Sequence, residues 1–379
     1  MSARDSRQGI LLLLMFLLSA CAPTPLAITT ISVRNLTGSA IYPADLKLSR
    51  DGTPQIAYLS GGTTRELRFQ PPDGPSETVY TLENPAQSGF SFSLALDPVD
   101  QPGIAYFDER DDDLIYTERR GGRWVTETVD AVGAVGYFVS LAYDRQGQPH
   151  ISYFDQTNND VKYATRIGQI WQIETIDAYG LPGFHIPAGF TQLALRCLPT
   201  PDDCATMQPV AIYLAYRYKP YDGELRVAYR TAQGWQIETV DADRGAGGYP
   251  SLILDAQGQP WVSYYRASTW DFAQGELRLA HHDGYRWQVE TIEEGDYVGR
   301  GSAITLTGDG RPMIVYYAAA PDELRLAVWN PGWAISRLSS DGIPGSWVSL
   351  AHDGQNRLHL VSADMSTQVT RYMVFSLSE

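Results

Sequence analysis

The phrase "SLAYDRQGQPHISYF" at 140–154 returns, barely altered, as "SLILDAQGQPWVSYY" at 251–265. Weaker copies run through the chain. Tyr58, Tyr106, Tyr153, Tyr216, Tyr264 and Tyr316 each close an apolar run that follows a turn built from Asp with Gly or Pro, and Ser362 holds the seventh equivalent place. The spacing is about 48 residues, apart from one wider interval ahead of Tyr216, where "RCLPTPDDC" has been inserted. A period of this length is one supersecondary unit, and a unit that cannot bury its apolar face alone does so against the next copy. In a chain of 379 residues the repeat therefore outweighs length as a guide to domain count, because stacked units make one body.

Each unit reads as four short strands, A to D. In the third, "VSLAYD", "PHISYFD", "DVKYATR" and "WQIETID" are rich in β-branched and aromatic residues and bounded by turn formers, and no stretch of the chain has helical periodicity. The A–B turn is two residues shorter in the units ending at Tyr58 and Tyr316 than in those ending at Tyr106 and Tyr264, an even change that keeps every side chain on its original face. Four strands per period predict the blades of a β-propeller. A β-sandwich gives no reason for one aromatic at the same phase in unit after unit. Trp124, Trp171, Trp235 and Trp287, which open strand D, are expected to pack between blades, while Glu127, Glu174 and Glu238 are expected to guard the outer edge against stray pairing.

The strand count also predicts how the ring closes. The last unit supplies three strands and stops, and "ITTISVRN" at 28–35 has the character of the missing strand D. The expected fold is all-β, a seven-bladed propeller of four-stranded antiparallel blades, formed by residues 28–379 and closed by pairing the N-terminal strand with the C-terminal blade. Ahead of it, Arg4 and Arg7 precede an apolar run from Ile10 to Leu18, too short to span a bilayer, so residues 1–20 read as a signal peptide. "LLSAC" resembles a bacterial lipobox, which implies acylation of Cys21, a tether at 21–27, export, and anchoring at a bacterial membrane or cell surface. Two cysteines remain, Cys197 and Cys204, and an even pair in an oxidising compartment predicts a local disulfide.

A formal charge of −15 with no basic cluster argues against a nucleic-acid partner. No G-x-S-x-G, H-E-x-x-H, C-x-x-C or phosphate-cradling glycine loop occurs, so no catalytic residue, cofactor or metal is assigned. In a propeller the B–C and D–A loops share one face, and here they are the varied ones. Asp108 and Asp155 lie in "FDERDDD" and "FDQTNND", His185 in "DAYGLPGFHIPAGF", and Tyr218, Tyr221, Trp270 and Phe272 on the two longest B–C loops. Phe90, Tyr137, Phe190, Tyr249, Tyr297 and Trp347 stand just before strand A, where they would ring the channel mouth. His150 and His359 hold equivalent repeat positions, which suggests a packing or hydrogen-bonded role.

The recurrent D-x-x-G-x-P-x-x-x-Y turn and the Trp-opened hairpin resemble the bacterial repeat propellers grouped with sialidases, whose Asp-box reads S-x-D-x-G-x-T-W. Asp283 and Gly284 in "HHDGYRW" match part of that motif. The resemblance implies a propeller over nearly all of 28–379; the arginine triad and the tyrosine nucleophile of sialidases find no residue-by-residue match. The expectation is a membrane-anchored envelope protein whose rim binds a glycan or a protein. The alternatives are a divergent glycoside-active enzyme, using carboxylates such as Asp108, Asp155 or Asp271, and an assembly scaffold. A pair of carboxyl groups about 5–10 Å apart across a pocket marks the enzyme.

Overall fold

The computed structural model describes residues 27–37, 44–60, 64–82, 91–178, 190–199, 204–216, 222–320, 322–338, 347–364 and 369–378. These form seven four-stranded antiparallel sheets and, among the described residues, no helix. Strand A of each blade lies innermost: Ala44–Leu48, Phe92–Leu96, Val135–Tyr143, Thr191–Pro199, Gly248–Leu254, Arg300–Leu306 and Trp347–His352 in turn. Each innermost strand touches the next, and Ala44–Leu48 touches Trp347–His352, so the ring is complete. Blade 7 joins Trp347–His352, Arg357–Asp364 and Val369–Ser378 to the N-terminal strand Ala27–Thr37, in the register Ile28 to Leu377 and Val33 to Met373. Chain start and finish thus share one blade, and neither leaves an unpaired inner edge. The signal, Cys21 and most of the tether lie outside the described residues.

The core is divided among the junctions. Seven apolar clusters each draw on two neighbouring blades; Leu46, Ile56 and Tyr58 of blade 1, for example, pack on Val361, Tyr372 and Val374 of blade 7. Strand B tyrosines sit in these clusters with almost no exposed surface. In blade 4 that place belongs to Tyr213, not to Tyr216 as the spacing suggests. Tyr153, Tyr213 and Tyr264 donate to Asp130, Asp177 and Asp241 at 2.7, 2.8 and 2.6 Å, and Tyr316 donates to Glu293. Each acid lies at or near the end of strand D of the preceding blade. Each also meets a strand C cation, Lys162, Arg226, Arg278 or Arg325, so one acid ties two strands of the next blade to its own.

The inner wall has its own seam. The backbone N–H of Leu46 donates to Ser349 of blade 7 at 3.0 Å, and Leu94 donates to Asp45, Leu141 to Ser93, Leu193 to Ser140 and Ile304 to Ser251, at 2.8 to 3.2 Å. The two remaining places carry Gln192 and Ala303. Strand A of one blade is thus hydrogen-bonded through a short side chain to strand A of the next, which satisfies an amide that faces no strand of its own sheet.

On the outer side the tryptophans pack as expected. Trp124, Trp171 and Trp235 stand edge-on to Phe69, Tyr116 and Tyr163 of the preceding blade, with centroids 5.2 to 5.4 Å apart. The glutamates do more than guard an edge. Glu127 accepts the Trp171 indole N–H and an Arg166 N–H, and Glu174 accepts from Trp235 and from two nitrogens of Arg230. Glu238 makes no such bond: its blade 5 counterpart of Arg230 is His282, and the Trp287 indole nitrogen has no partner.

The opposite face carries the A–B turns. One carboxylate oxygen of Asp97, Asp144, Asp255 or Asp353 accepts two turn amides, which explains why the repeat keeps Asp there. The insertion in blade 4 is an extended A–B hairpin, Thr191–Pro199 with Cys204–Tyr216, closed by the Cys197–Cys204 disulfide. His150 and His359 face the hydroxyls of Tyr163 and Tyr372, the second at 2.7 Å.

Candidate functional site

The site begins with a glycine. Gly299, at φ 92°, passes so close to blade 5 that a Cβ would lie 2.6 Å from the Leu277 Cα, and Gly136 and Gly247 hold the same place at φ 99°. Strand pairing is irregular just beyond, between Tyr137 and Ser140, Gly248 and Ser251, and Arg300 and Ala303. Such a bulge re-aims the side chain that follows. Phe138 and Tyr249 occupy it with φ of 51° and 50°, left-handed conformations that cost a bulky residue about 1–2 kcal/mol; blade 6 has Gly301 there, at φ 64°.

The result is a continuous aromatic row at the channel mouth. Phe138 meets Phe190 at 4.6 Å between centroids, and Phe190 meets Tyr249 at 4.5 Å. Where Gly301 leaves a gap, Arg300 takes it, its guanidinium carbon 5.3 Å from the Tyr249 centroid and 5.6 Å from that of Tyr297. Its Nε donates to the Tyr249 hydroxyl at 2.9 Å. Tyr297, also left-handed at φ 54°, is held by its N–H on the Ala273 carbonyl at 2.8 Å. Burial raises the hydroxyl pKa of Tyr265 and Tyr317 beside this group, so both remain protonated donors; Tyr317 donates to Asp322. All of the row is half-buried.

Of the aromatics that precede strand A, Phe190, Tyr249 and Tyr297 therefore stand at the mouth. Tyr137 does not join them: it packs on Phe107 at 4.2 Å, and its neighbour Phe138 takes the place, because the bulge shifts the phase by one. Phe90 and the Trp347 side chain lie outside the described residues. Arg300 had no signal in spacing or motif. Phe138 had one, a glycine two residues ahead of the aromatic, as in Gly247 before Tyr249.

Beside the row, the B–C loop of blade 5 presents Trp270 with 76% of its surface exposed. The loop is firmly built. Asp271 accepts from the Thr269 hydroxyl and the Ala273 N–H, Phe272 donates to Thr269, Ser268 to Gln274, and the Phe272 carbonyl accepts the Tyr265 hydroxyl. Phe272 is half-buried at φ 57°. Trp270 forms one wall of a cleft of about 500 Å³ lined by Arg244, Arg266, Ala267, Ser268 and Thr269. Tyr218, Tyr221 and His185 lie outside the described residues.

The rim carboxylates are engaged. Asp108 accepts the Tyr80 hydroxyl at 2.6 Å and the Arg110 N–H; Asp155 is fully buried, 2.7 Å from the Lys162 ammonium and bonded to Asn158. The Thr269 hydroxyl holds the Asp271 pKa below the usual carboxylate range. Among the described residues no carboxylate lines the cleft at Trp270. On the opposite face Asp97 and Glu118 share a cavity of about 430 Å³, but Asp97 caps its turn and Glu118 holds Arg120 and Arg166. Among the described residues no cluster of His, Cys, Asp or Glu is placed to hold a metal.

No family model matches the chain, and no curated protein matches it in sequence. Solved structures match in fold. An ulvan lyase bound to a glucuronate–rhamnose-sulfate oligosaccharide aligns with a TM-score of 0.62 at 10% identity, over 90% of this chain and 95% of its own. A fucose-recognising lectin from Aleuria aurantia, a six-bladed propeller, aligns at 0.53 and 10% identity over 77% and 95%. A protein of unknown function from Dyadobacter fermentans aligns at 0.51 and 12% over 92% and 99%.

Proposed function

We propose that this protein is a glycan-binding propeller, taking its ligand at the rim formed by the B–C and D–A loops. The observation that carries the reading is the row Phe138–Phe190–Tyr249, whose first and last members accept a strained backbone in order to stand at the channel mouth. Packing alone does not demand that cost, since Ser91 and Gly301 hold the same place in other blades. Aromatic faces flanked by an arginine suit the apolar face and hydroxyl edge of a sugar ring. Trp270, on a rigid loop and exposed, extends the platform outward. The propeller fold carries carbohydrate recognition in the lectin and the lyase it aligns with. Engaged rim carboxylates favour binding over glycoside cleavage, which needs an acid and a base free to exchange protons. We further propose that the chain is exported and acylated at Cys21, which would hold the propeller close to a membrane, because its first strand begins at Ala27.

A glycan array probed with the full chain in detergent tests the reading. Enrichment on a defined glycan set, weakened about tenfold by Tyr249→Ala and by Trp270→Ala with folding intact, is expected. No enrichment, with a protein recovered instead by cross-linking in cells, would sink it.

A further inference from the structure

Arg300 differs from the other arginines of this rim. Arg110, Arg226, Arg244, Arg266, Arg278 and Arg325 each hold a carboxylate. Among the described residues Arg300 holds none. Among the described residues its one side-chain hydrogen bond runs from Nε to the Tyr249 hydroxyl, and its guanidinium lies near the rings of Tyr249 and Tyr297. Of the described carboxylates near this group of tyrosines, Asp322 accepts the Tyr317 hydroxyl at 2.6 Å and Asp271 accepts the Thr269 hydroxyl. The Nη groups, the part of the fork that recognises planar oxyanions, therefore meet no described acceptor.

A half-buried guanidinium loses hydration and, among the described residues, gains no counter-charge, in a chain with formal charge −15 that supplies carboxylates to its other rim arginines. It is also a held cation: Gly299 precedes it at a close approach to Leu277, and two left-handed tyrosines, Tyr249 and Tyr297, contact its guanidinium. An incoming anion is repelled by most of this surface, so its acid group is directed to the place where a positive charge is left uncompensated.

We propose that Arg300 receives the acid group of the ligand, so that the glycan bound at the channel mouth is an acidic one, with a sugar ring on Phe190 and Tyr249 and a carboxylate or sulfate on the Nη groups. This rests on the glycan-binding reading above. The shared chemistry is an oxyanion on a sugar, and the probes separate its two sources.

The experiment is calorimetric titration of the full chain in detergent with oligogalacturonate, with its methyl ester, and with a sulfated galactan oligosaccharide and its desulfated form. The wild type is expected to bind one acidic probe about tenfold or more tightly than its neutral counterpart. That preference should shrink as salt rises, should vanish in Arg300→Gln while affinity for the neutral form stays, and should survive in part in Arg300→Lys. A preference within the first pair assigns carboxylate, and within the second, sulfate. Should Arg300→Gln fail to fold, the salt series and Arg300→Lys decide: a salt-independent preference, or one that Lys leaves untouched, overturns the proposal. Equal binding of charged and neutral forms, with sensitivity to Tyr249→Ala, overturns it and leaves the glycan reading standing. No binding of any glycan, on the array or by titration, overturns both.

Discussion

At the scale of single residues the repeat motif was legible in kind and misleading in place. The turn aspartates were visible as a recurring letter, and the reason for them, two amides capped by one carboxylate oxygen, is local. The strand B tyrosine was visible in six units, but in blade 4 the chain offers Tyr213 and Tyr216 three residues apart on an inserted hairpin, and spacing selects the wrong one. What decides is tertiary: Asp177 and Arg226 stand where a tyrosine hydroxyl must end. Tyr213→Phe should therefore cost about 1–3 kcal/mol, as a half-buried acid loses a donor, and Tyr216→Phe less than about 1. Urea denaturation of the two variants measures the difference, and the opposite order would return the repeat position to Tyr216. Arg300 was illegible for a related reason. Nothing in a single sequence marks an arginine by the carboxylate it lacks.

At the scale of elements, strand type and blade membership followed from pattern, because alternation and turn chemistry are properties of a few adjacent residues. The closure of blade 7 followed from counting. It places Thr29 opposite Ser376, so the variant Thr29→Cys/Ser376→Cys should form an intramolecular disulfide under mild oxidation, read by peptide mapping. Free thiols, or cross-linked dimers alone, would mean the first strand does not close the ring. The bulges that open strand A in blades 3, 5 and 6 were not legible, since they depend on how closely a glycine can approach Leu114, Leu225 or Leu277 of the blade before. That one-residue shift exchanges Tyr137 for Phe138 at the mouth. The glutamates of strand D show the same limit: the partners of Glu127 are an arginine and a tryptophan of the next blade, 39 and 44 residues on.

At the scale of the whole molecule, the junctions are built on one plan: an apolar cluster at all seven, with, among the described residues, a tyrosine–acid–cation tie at four and a short-side-chain seam along the channel wall at five. The plan is applied unevenly, with Gln192 and Ala303 interrupting the seam and His282 interrupting the outer ties. Regularity therefore accounts for stability, and the strained aromatics and Arg300 gather where blades 3 to 6 meet the channel mouth. One face is built from capped tight turns and a disulfide hairpin; the other carries strained aromatics, an arginine that meets no carboxylate among the described residues and an exposed tryptophan. The account claims that this second face is where the ligand sits. Hydrogen exchange read by mass spectrometry, with and without the tightest ligand of the glycan array, tests that claim most directly. Protection is predicted in 134–141, 247–253 and 297–303 at the mouth, with the turns at 97–101, 144–148 and 255–259 unchanged. Protection confined to those turns or to the outer strands would contradict it.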